Sequence, residues 1–249
     1  MGSIRAFLLH KFVLFLLICF GVSVSVAQPL LDQPTMEDST LRLGEVLKYS
    51  AKIKGIPAGS QVLQVNGKKL LDGREVYHVE SVSKVNRFFS VFYSFDGWSE
   101  SFIDSKRFHP LHYRKKVRDG GYRGSTAVDF DQVNQVARIV KDQEQMQLYV
   151  PTGTQDELSI IYLLRTKEIE VGQKYEFPAL IGTKALEASV LVLRIEEIKT
   201  ILGTLKTIVV KAIPEDITMW LTNDTARIPV RIEASTKLGK LVSNLKEID

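Results

Sequence analysis

Val46-Leu47-Lys48-Tyr49-Ser50-Ala51-Lys52-Ile53 decides the fold class. Leu47, Tyr49, Ala51 and Ile53 fall on one face, the period of a β-strand with one side against a core. Working outward, the same period governs most of the chain. Gly55-Ile56-Pro57-Ala58-Gly59 reads as a turn, Gln61 to Val65 alternates again, and Asn66-Gly67 is a hairpin signal. From Val76 to Val85, Val76, His78, Glu80 and Val82 oppose Tyr77, Val79, Ser81 and Ser83. Phe88 to Phe95 is the most aromatic stretch, a strand or a short helix ended by Asp96-Gly97. Strands are expected at 98–104, 108–118, 122–130, 134–140 and 145–150, and again at 174–177, 187–200, 204–213, 217–222, 228–236 and 240–245.

Residues 156–166 break the pattern. Leu158, Ile161, Tyr162 and Arg165 share one helical face, with Asp156 placed to cap the first turn and Arg165 suited to the last. The expected fold is therefore mainly β: a strongly curved antiparallel sheet or incomplete barrel with one covering helix near 156–166.

The sheet is expected to consist of two repeated meander halves, about 41–140 and 168–249. Phe102-Ile103-Asp104, Pro110 and Gly120 are echoed in order by Trp220-Leu221-Thr222, Pro229 and Gly239. In each unit a strand ends in an apolar pair and the return strand carries one Pro. Pro lacks a ladder donor, so it belongs at an edge or a bulge.

Upstream of this domain, residues 1–27 read as a cleaved secretory signal peptide. Arg5, His10 and Lys11 precede the uncharged run Phe12–Val26, and Ser25-Val26-Ala27 supplies a cleavage site. The run is short of the ~20 residues a spanning helix needs, so no stable membrane span is expected. Cys19 follows Ile18 inside the apolar run, which argues against a lipid anchor. Residues 28–40 read as an exposed leader, and 41–249 as a single β-rich domain. The whole chain carries 33 basic and 29 acidic residues. Taking away Arg5 and Lys11 leaves 31 against 29, too even a balance for bulk nucleic-acid binding. Cys19 is the chain's one cysteine, so the exported part has no disulfide or thiol chemistry.

Gly44-Glu45-x-Leu47-x-Tyr49, Gly55-Ile56-x-Ala58-Gly59, Asp156-x-Leu158-Ser159-x-x-Tyr162-x-x-Arg165 and Trp220-Leu221-Thr222-Asn223-Asp224-x-x-Arg227-Ile228-Pro229-Val230 together resemble the DUF3108 family of exported bacterial proteins of unknown function. Asn223 departs from the acidic residue or Ser expected there. The resemblance spans roughly residues 40–245 and implies an envelope location and a β-rich fold, without substrate or catalytic residues. A weaker likeness of shape links such hairpin repeats to periplasmic lipoprotein carriers with an open half-barrel; a fold of itself names no function.

Candidate chemistry is sparse. His109 and His112, three apart on a strand, point to opposite faces and read as solvated rather than metal-binding; no metal or cofactor is expected. Ser159 sits in the first turn of a helix, where capping or packing explains it better than nucleophilic catalysis. The carboxylate pairs Asp129/Asp131, Glu196/Glu197 and Asp224 near Glu215-Asp216 read as strand edges and turns. Arg114, Lys115, Lys116, Arg118 and Arg123 crowd a hairpin tip at Asp119-Gly120-Gly121, a candidate contact with an anionic surface. Arg165 in an apolar setting needs a partner such as Asp156, Asp104 or a ligand anion. With Tyr162, Phe92, Trp98 and Trp220 it forms the candidate ligand-binding set.

These features point to an exported periplasmic protein that binds or carries an amphiphilic or polymeric envelope component, its ligand a lipid, lipoprotein or polysaccharide. The alternatives are an envelope interaction protein docking on partner proteins, and a glycan or peptide hydrolase.

Overall fold

The computed structural model describes residues 41–249 apart from Phe92 and Lys237. The expected signal peptide at 1–27, the leader at 28–40 and the candidate Phe92 lie outside the described residues.

The first meander is β1 (Val46–Ile53), β2 (Ile56–Leu71), β3 (Arg74–Val85), β4 (Phe95–Asp104), β5 (Pro110–Asp119), β6 (Tyr122–Asp131), β7 (Val136–Lys141) and β8 (Glu144–Tyr149), with α1 (Arg87–Ser90) between β3 and β4. Helix α2 (Ser159–Arg165) leads into the second: β9 (Lys174–Ile181), β10 (Lys184–Thr200), β11 (Gly203–Ile213), β12 (Ile217–Thr222), β13 (Pro229–Thr236) and β14 (Gly239–Ile248). All fourteen strands join one antiparallel sheet, in the order β8-β7-β6-β5-β4-β3-β2-β1-β14-β13-β12-β11-β10-β9. The sheet is not closed into a barrel. The two meanders join where β1 pairs with β14, eight strands on one side and six on the other, and the edge strands are β8 and β9.

The halves echo each other in strand length. Each opens with an 8-residue strand, β1 and β9, followed by a long one of 16 residues in β2 and 17 in β10. The two prolines expected at an edge or a bulge both stand at a bulge. The β4–β5 register shifts between Phe102 and Ile103, where Ile103 faces Pro110. The β12–β13 register shifts between Trp220 and Leu221, where Leu221 faces Pro229.

Turn chemistry explains two differences from the sequence reading. Asn66-Gly67 does not reverse the chain. It lies within β2, at a bulge against β3, with Gly67 at φ 123°. The reversal comes at Asp72-Gly73, whose φ values of 49° and 76° suit a two-residue hairpin whose twist matches its strands. Asn66 is held instead by Glu80 at 3.0 Å. Likewise the turn expected over Gly55–Gly59 is confined to Lys54-Gly55, and Ile56 already pairs with Ile53. The aromatic stretch begins as α1, capped where Asn86 Oδ1 accepts the Phe89 N–H at 2.8 Å, and Asp96-Gly97 falls inside β4.

The helix differs in role. It was expected to cover the concave face over 156–166; it is shorter, and it fills the hollow. Leu158, Tyr162 and Leu164 are at most 2% exposed, in one continuous core with Leu47 and Tyr49 of β1, Val79 of β3, Val190 of β10 and Ile232 of β13. Ser159, Tyr162, Leu163, Leu164 and Arg165 of α2 are buried, while Ile160 and Ile161 stay partly exposed. Asp156 does cap it: Oδ1 accepts the N–H groups of Leu158 and Ser159, each at 2.7 Å.

Candidate functional site

Strand alternation sorts the candidates onto two faces. Ser99, Ser101 and Ile103 of β4 point inward, since Ser101 Oγ donates to Asp156 Oδ2 at 2.6 Å. Trp98 therefore points away from α2, where its indole donates to Glu80 and Lys116 stands over its ring. Trp220 also points outward, donating to Glu196 beneath the Arg231 guanidinium, 5.0 Å from its ring. Trp98 lies on the opposite face from Tyr162 and Arg165, and Trp220, though 6% exposed and part of the same core as Tyr162, gives its indole N–H to Glu196, so the candidate set is not one site.

Arg165 has a partner inside the chain, and it is none of those expected. Its Nη1 and Nη2 donate to the two carboxylate oxygens of Glu45 at 2.5 and 2.8 Å, and Nε donates to the Ala226 carbonyl at 3.0 Å. The Tyr162 ring lies 5.8 Å away. Burial works against the guanidinium charge, but the Glu45 contact outweighs it and raises the pKa. This pair ties α2 to the start of β1, where the two meanders join.

A second polar cluster spans the two halves. Glu157, 1% exposed, accepts from Tyr113 Oη at 3.0 Å and Lys115 Nζ at 2.6 Å on β5, and from the Gly182 N–H at 3.0 Å in the β9–β10 turn. Just before it, Gln155 pairs with β9 through Pro178 and Leu180. The segment preceding α2 thus clasps the β9 edge to the first half without closing the ladder. Burial pushes the Asp156 carboxyl up to about 6, against the lowering pull of the Ser101 hydroxyl and the Ser159 and Leu158 N–H groups.

Lys115 is accordingly not part of the basic surface. It points inward, whereas Arg114, Lys116 and Arg118 alternate outward and Arg123 stands opposite Arg118. All four are exposed, and Arg114 pairs with Glu100 at 3.4 Å. The carboxylate pairs do not converge: Asp129 meets His112 on the outer face, Glu196 meets Arg194, and Asp224 accepts from Thr222, Ala226 and Arg227 in its own loop. Nor is His109 solvated. It is 3% exposed, neither ring nitrogen has a hydrogen-bond partner among the described residues, and burial lowers its pKa. The strand was expected to start at 108, but β5 begins at Pro110 and His109 precedes it. Ser159 Oγ accepts the Asp156 N–H at 2.9 Å, a capping role.

One concavity among the described residues is a groove beside α2, about 610 Å³ when the open space at its mouth is counted. Ile160 and Ile161 of α2 face Phe177, Ala188, Ala212 and Met219 of the second half across it. Glu157 lies in its wall, already bonded on three sides. No sequence signal singled out these small and apolar residues, because strand alternation alone cannot separate a filled core from a groove.

The family model for the protein of unknown function DUF3108 matches residues 48–246. The chain belongs to the DUF3108 family. No curated protein matches it. Among solved structures, this DUF3108 chain is similar to a β-barrel-like protein of the domain of unknown function DUF1849 from Brucella abortus. Identity is 14%, coverage 84% of this chain and 98% of that one, and the TM-score 0.57, a likeness of fold. A DUF1089 family protein from Pseudomonas aeruginosa aligns at 12% identity over 84% of this chain and 95% of that one, TM-score 0.40. A Bacteroides fragilis protein of YmcC-like fold, named a candidate exported protein, aligns at 10% over 84% and 96%, TM-score 0.36. At those scores the last two add nothing to the fold assignment of this DUF3108 protein.

Proposed function

We propose that this chain is an exported, non-catalytic protein of the bacterial periplasm that binds or carries an amphiphilic envelope component, its apolar part seated in the groove beside α2. The groove carries the reading. Its accessible wall is apolar, formed mainly by Ile160, Ile161, Phe177, Ala188, Ala212 and Met219, the lining expected of a site for an apolar chain. Its acidic residue nearest α2, Glu157, is held by Tyr113, Lys115 and Gly182 rather than facing a second carboxyl. The signal-like segment at 1–27 supports export. The outward Arg114, Lys116, Arg118 and Arg123 support a resting contact with an anionic surface such as lipid head groups.

The test is native mass spectrometry of residues 28–249 purified from the periplasm. An amphiphile should travel with the protein and be lost in Ala188→Phe, which fills the groove. A protein that carries no amphiphile and takes up none in solution would end this reading.

A further inference from the structure

A second hollow adjoins the groove on the same inner face, at the junction of the two halves. It encloses about 360 Å³ counted to its mouth, between Ala51, Gly59, Gln61, Ser83, Phe95 and Ser243. Ser243 of β14 stands directly opposite Ile232 of β13, and Ile232 lines the apolar groove. Paired residues on neighbouring strands share a face at ~5 Å, so the two hollows share a wall.

The second hollow differs in chemistry. Ser243 is 0% exposed and Gln61 4%, yet neither Ser243 Oγ nor Gln61 Oε1 has a hydrogen-bond partner among the described residues. Buried polar atoms are almost always matched, and leaving one unmatched is costly. The Gln61 amide is anchored at its other end, where Nε2 donates to Ser81 Oγ at 3.3 Å. Reversing the amide would exchange the two atoms and still leave one unmatched. Lys84, the one charged residue lining this hollow, is exposed. An anionic head would lose its water here with no proton to give the unmatched Gln61 Oε1, while the one cation, Lys84, stays exposed to water. A hydroxyl group can both donate to Gln61 Oε1 and accept from Ser243. The two side chains stand two strands apart, ~10 Å at the backbone, so the head must carry several such groups.

We infer that the groove's ligand is an amphiphile with an uncharged, polyhydroxylated head of the glycolipid kind. The head lies against Gln61 and Ser243, and the chain runs past Ile232 into the apolar groove. This rests on the reading of the groove as an amphiphile site and names the class it takes.

The experiment is calorimetric titration of residues 28–249 with octyl glucoside, octanoate and glucose, each below its micellar range. Octyl glucoside should bind about tenfold more tightly than octanoate, the equivalent of one or two well-made hydrogen bonds. Ser243→Ala and Gln61→Met should each weaken octyl glucoside roughly fivefold and leave octanoate unchanged. Both replacements delete an unmatched buried atom, and circular dichroism checks their fold. If octanoate binds as tightly as octyl glucoside, or both variants leave octyl glucoside unchanged, the head-group assignment is wrong while the apolar groove stands. If neither amphiphile binds, the groove reading falls and the head-group assignment with it.

Discussion

Replacing Arg165 by Met should be among the most damaging single changes in the protein. The Arg165 and Glu45 side chains are 2% and 4% exposed, so the solvent screening that weakens surface pairs does not apply. Removing one partner strands a buried carboxylate, at a cost of ~3–5 kcal/mol. The Ala226 carbonyl also loses its donor, worth ~1 kcal/mol more. The expected loss is therefore about 4–6 kcal/mol, a large share of the ~5–15 kcal/mol that holds an ordinary domain together. The double replacement Glu45→Leu with Arg165→Met removes the desolvation penalty along with the attraction, and should stay within ~2 kcal/mol of the parent. Urea unfolding of the parent, both single variants and the double variant closes the cycle; two single losses of ~3 kcal/mol or more that collapse to ~2 kcal/mol or less in the double variant mean a coupling of at least ~4 kcal/mol. An Arg165→Met loss below ~1 kcal/mol, or losses that simply add in the double variant, would refute the claim that this pair pins α2 to the sheet.

Burial raises the Asp156 carboxyl to about 6, from ~3.9 in an unfolded chain. The folded state therefore holds more protons between those values, and stability falls as pH rises from ~4 to ~6, by ~3 kcal/mol at most. Scanning calorimetry should show a higher Tm at pH 5 than at pH 7.5. Asp156→Asn, which can still accept from Leu158 and Ser159 and can donate to Ser101, should remove roughly half of that slope; an unchanged slope would put its source elsewhere. Asp119, also raised to about 6 by burial, contributes in the same direction, and His109, whose pKa burial lowers, opposes it. Lys115→Met should cost ~2–4 kcal/mol in urea unfolding because Glu157 is left short of its cation, while Arg118→Met, exposed on the other face, should stay within ~0.5 kcal/mol. Equal effects would contradict the division of the basic cluster between faces. Gly59→Ala should destabilise by ~3 kcal/mol, since a Cβ there would lie 2.2 Å from the Lys84 carbonyl oxygen of β3. A variant with parental Tm would mean the strands can part without cost.

The legible parts of this protein are those that depend on near neighbours. Leu47, Tyr49 and Ile53 declared their face, and the prolines at 110 and 229 declared a break in the ladder, because each signal lies within one strand and its turn. Asn66-Gly67 misled because a good hairpin dipeptide can equally host a bulge when a better turn, Asp72-Gly73, follows while the extended pattern continues. The site was harder to read. Glu45 stood in plain view beside Gly44, but its partner lies 120 residues away. One signal was available and points to the second hollow: Ser81 and Ser83 continue the inward face of Tyr77 and Val79, which places polar groups where a wholly dry core would have none.

From the sequence alone come the alternating strands, the doubled meander and a helix near residues 156–166, expected there to cover the sheet. Each follows from backbone pleat, turn handedness and side-chain period, which act over a few residues. Only the tertiary structure decides that β1 meets β14, that α2 fills the hollow, that Lys115 turns inward while its neighbours turn out, and that an apolar groove abuts Gln61 and Ser243. Those outcomes depend on how far the sheet curls and on register carried across many strands, and curvature sums small twists from the whole chain that no single stretch encodes.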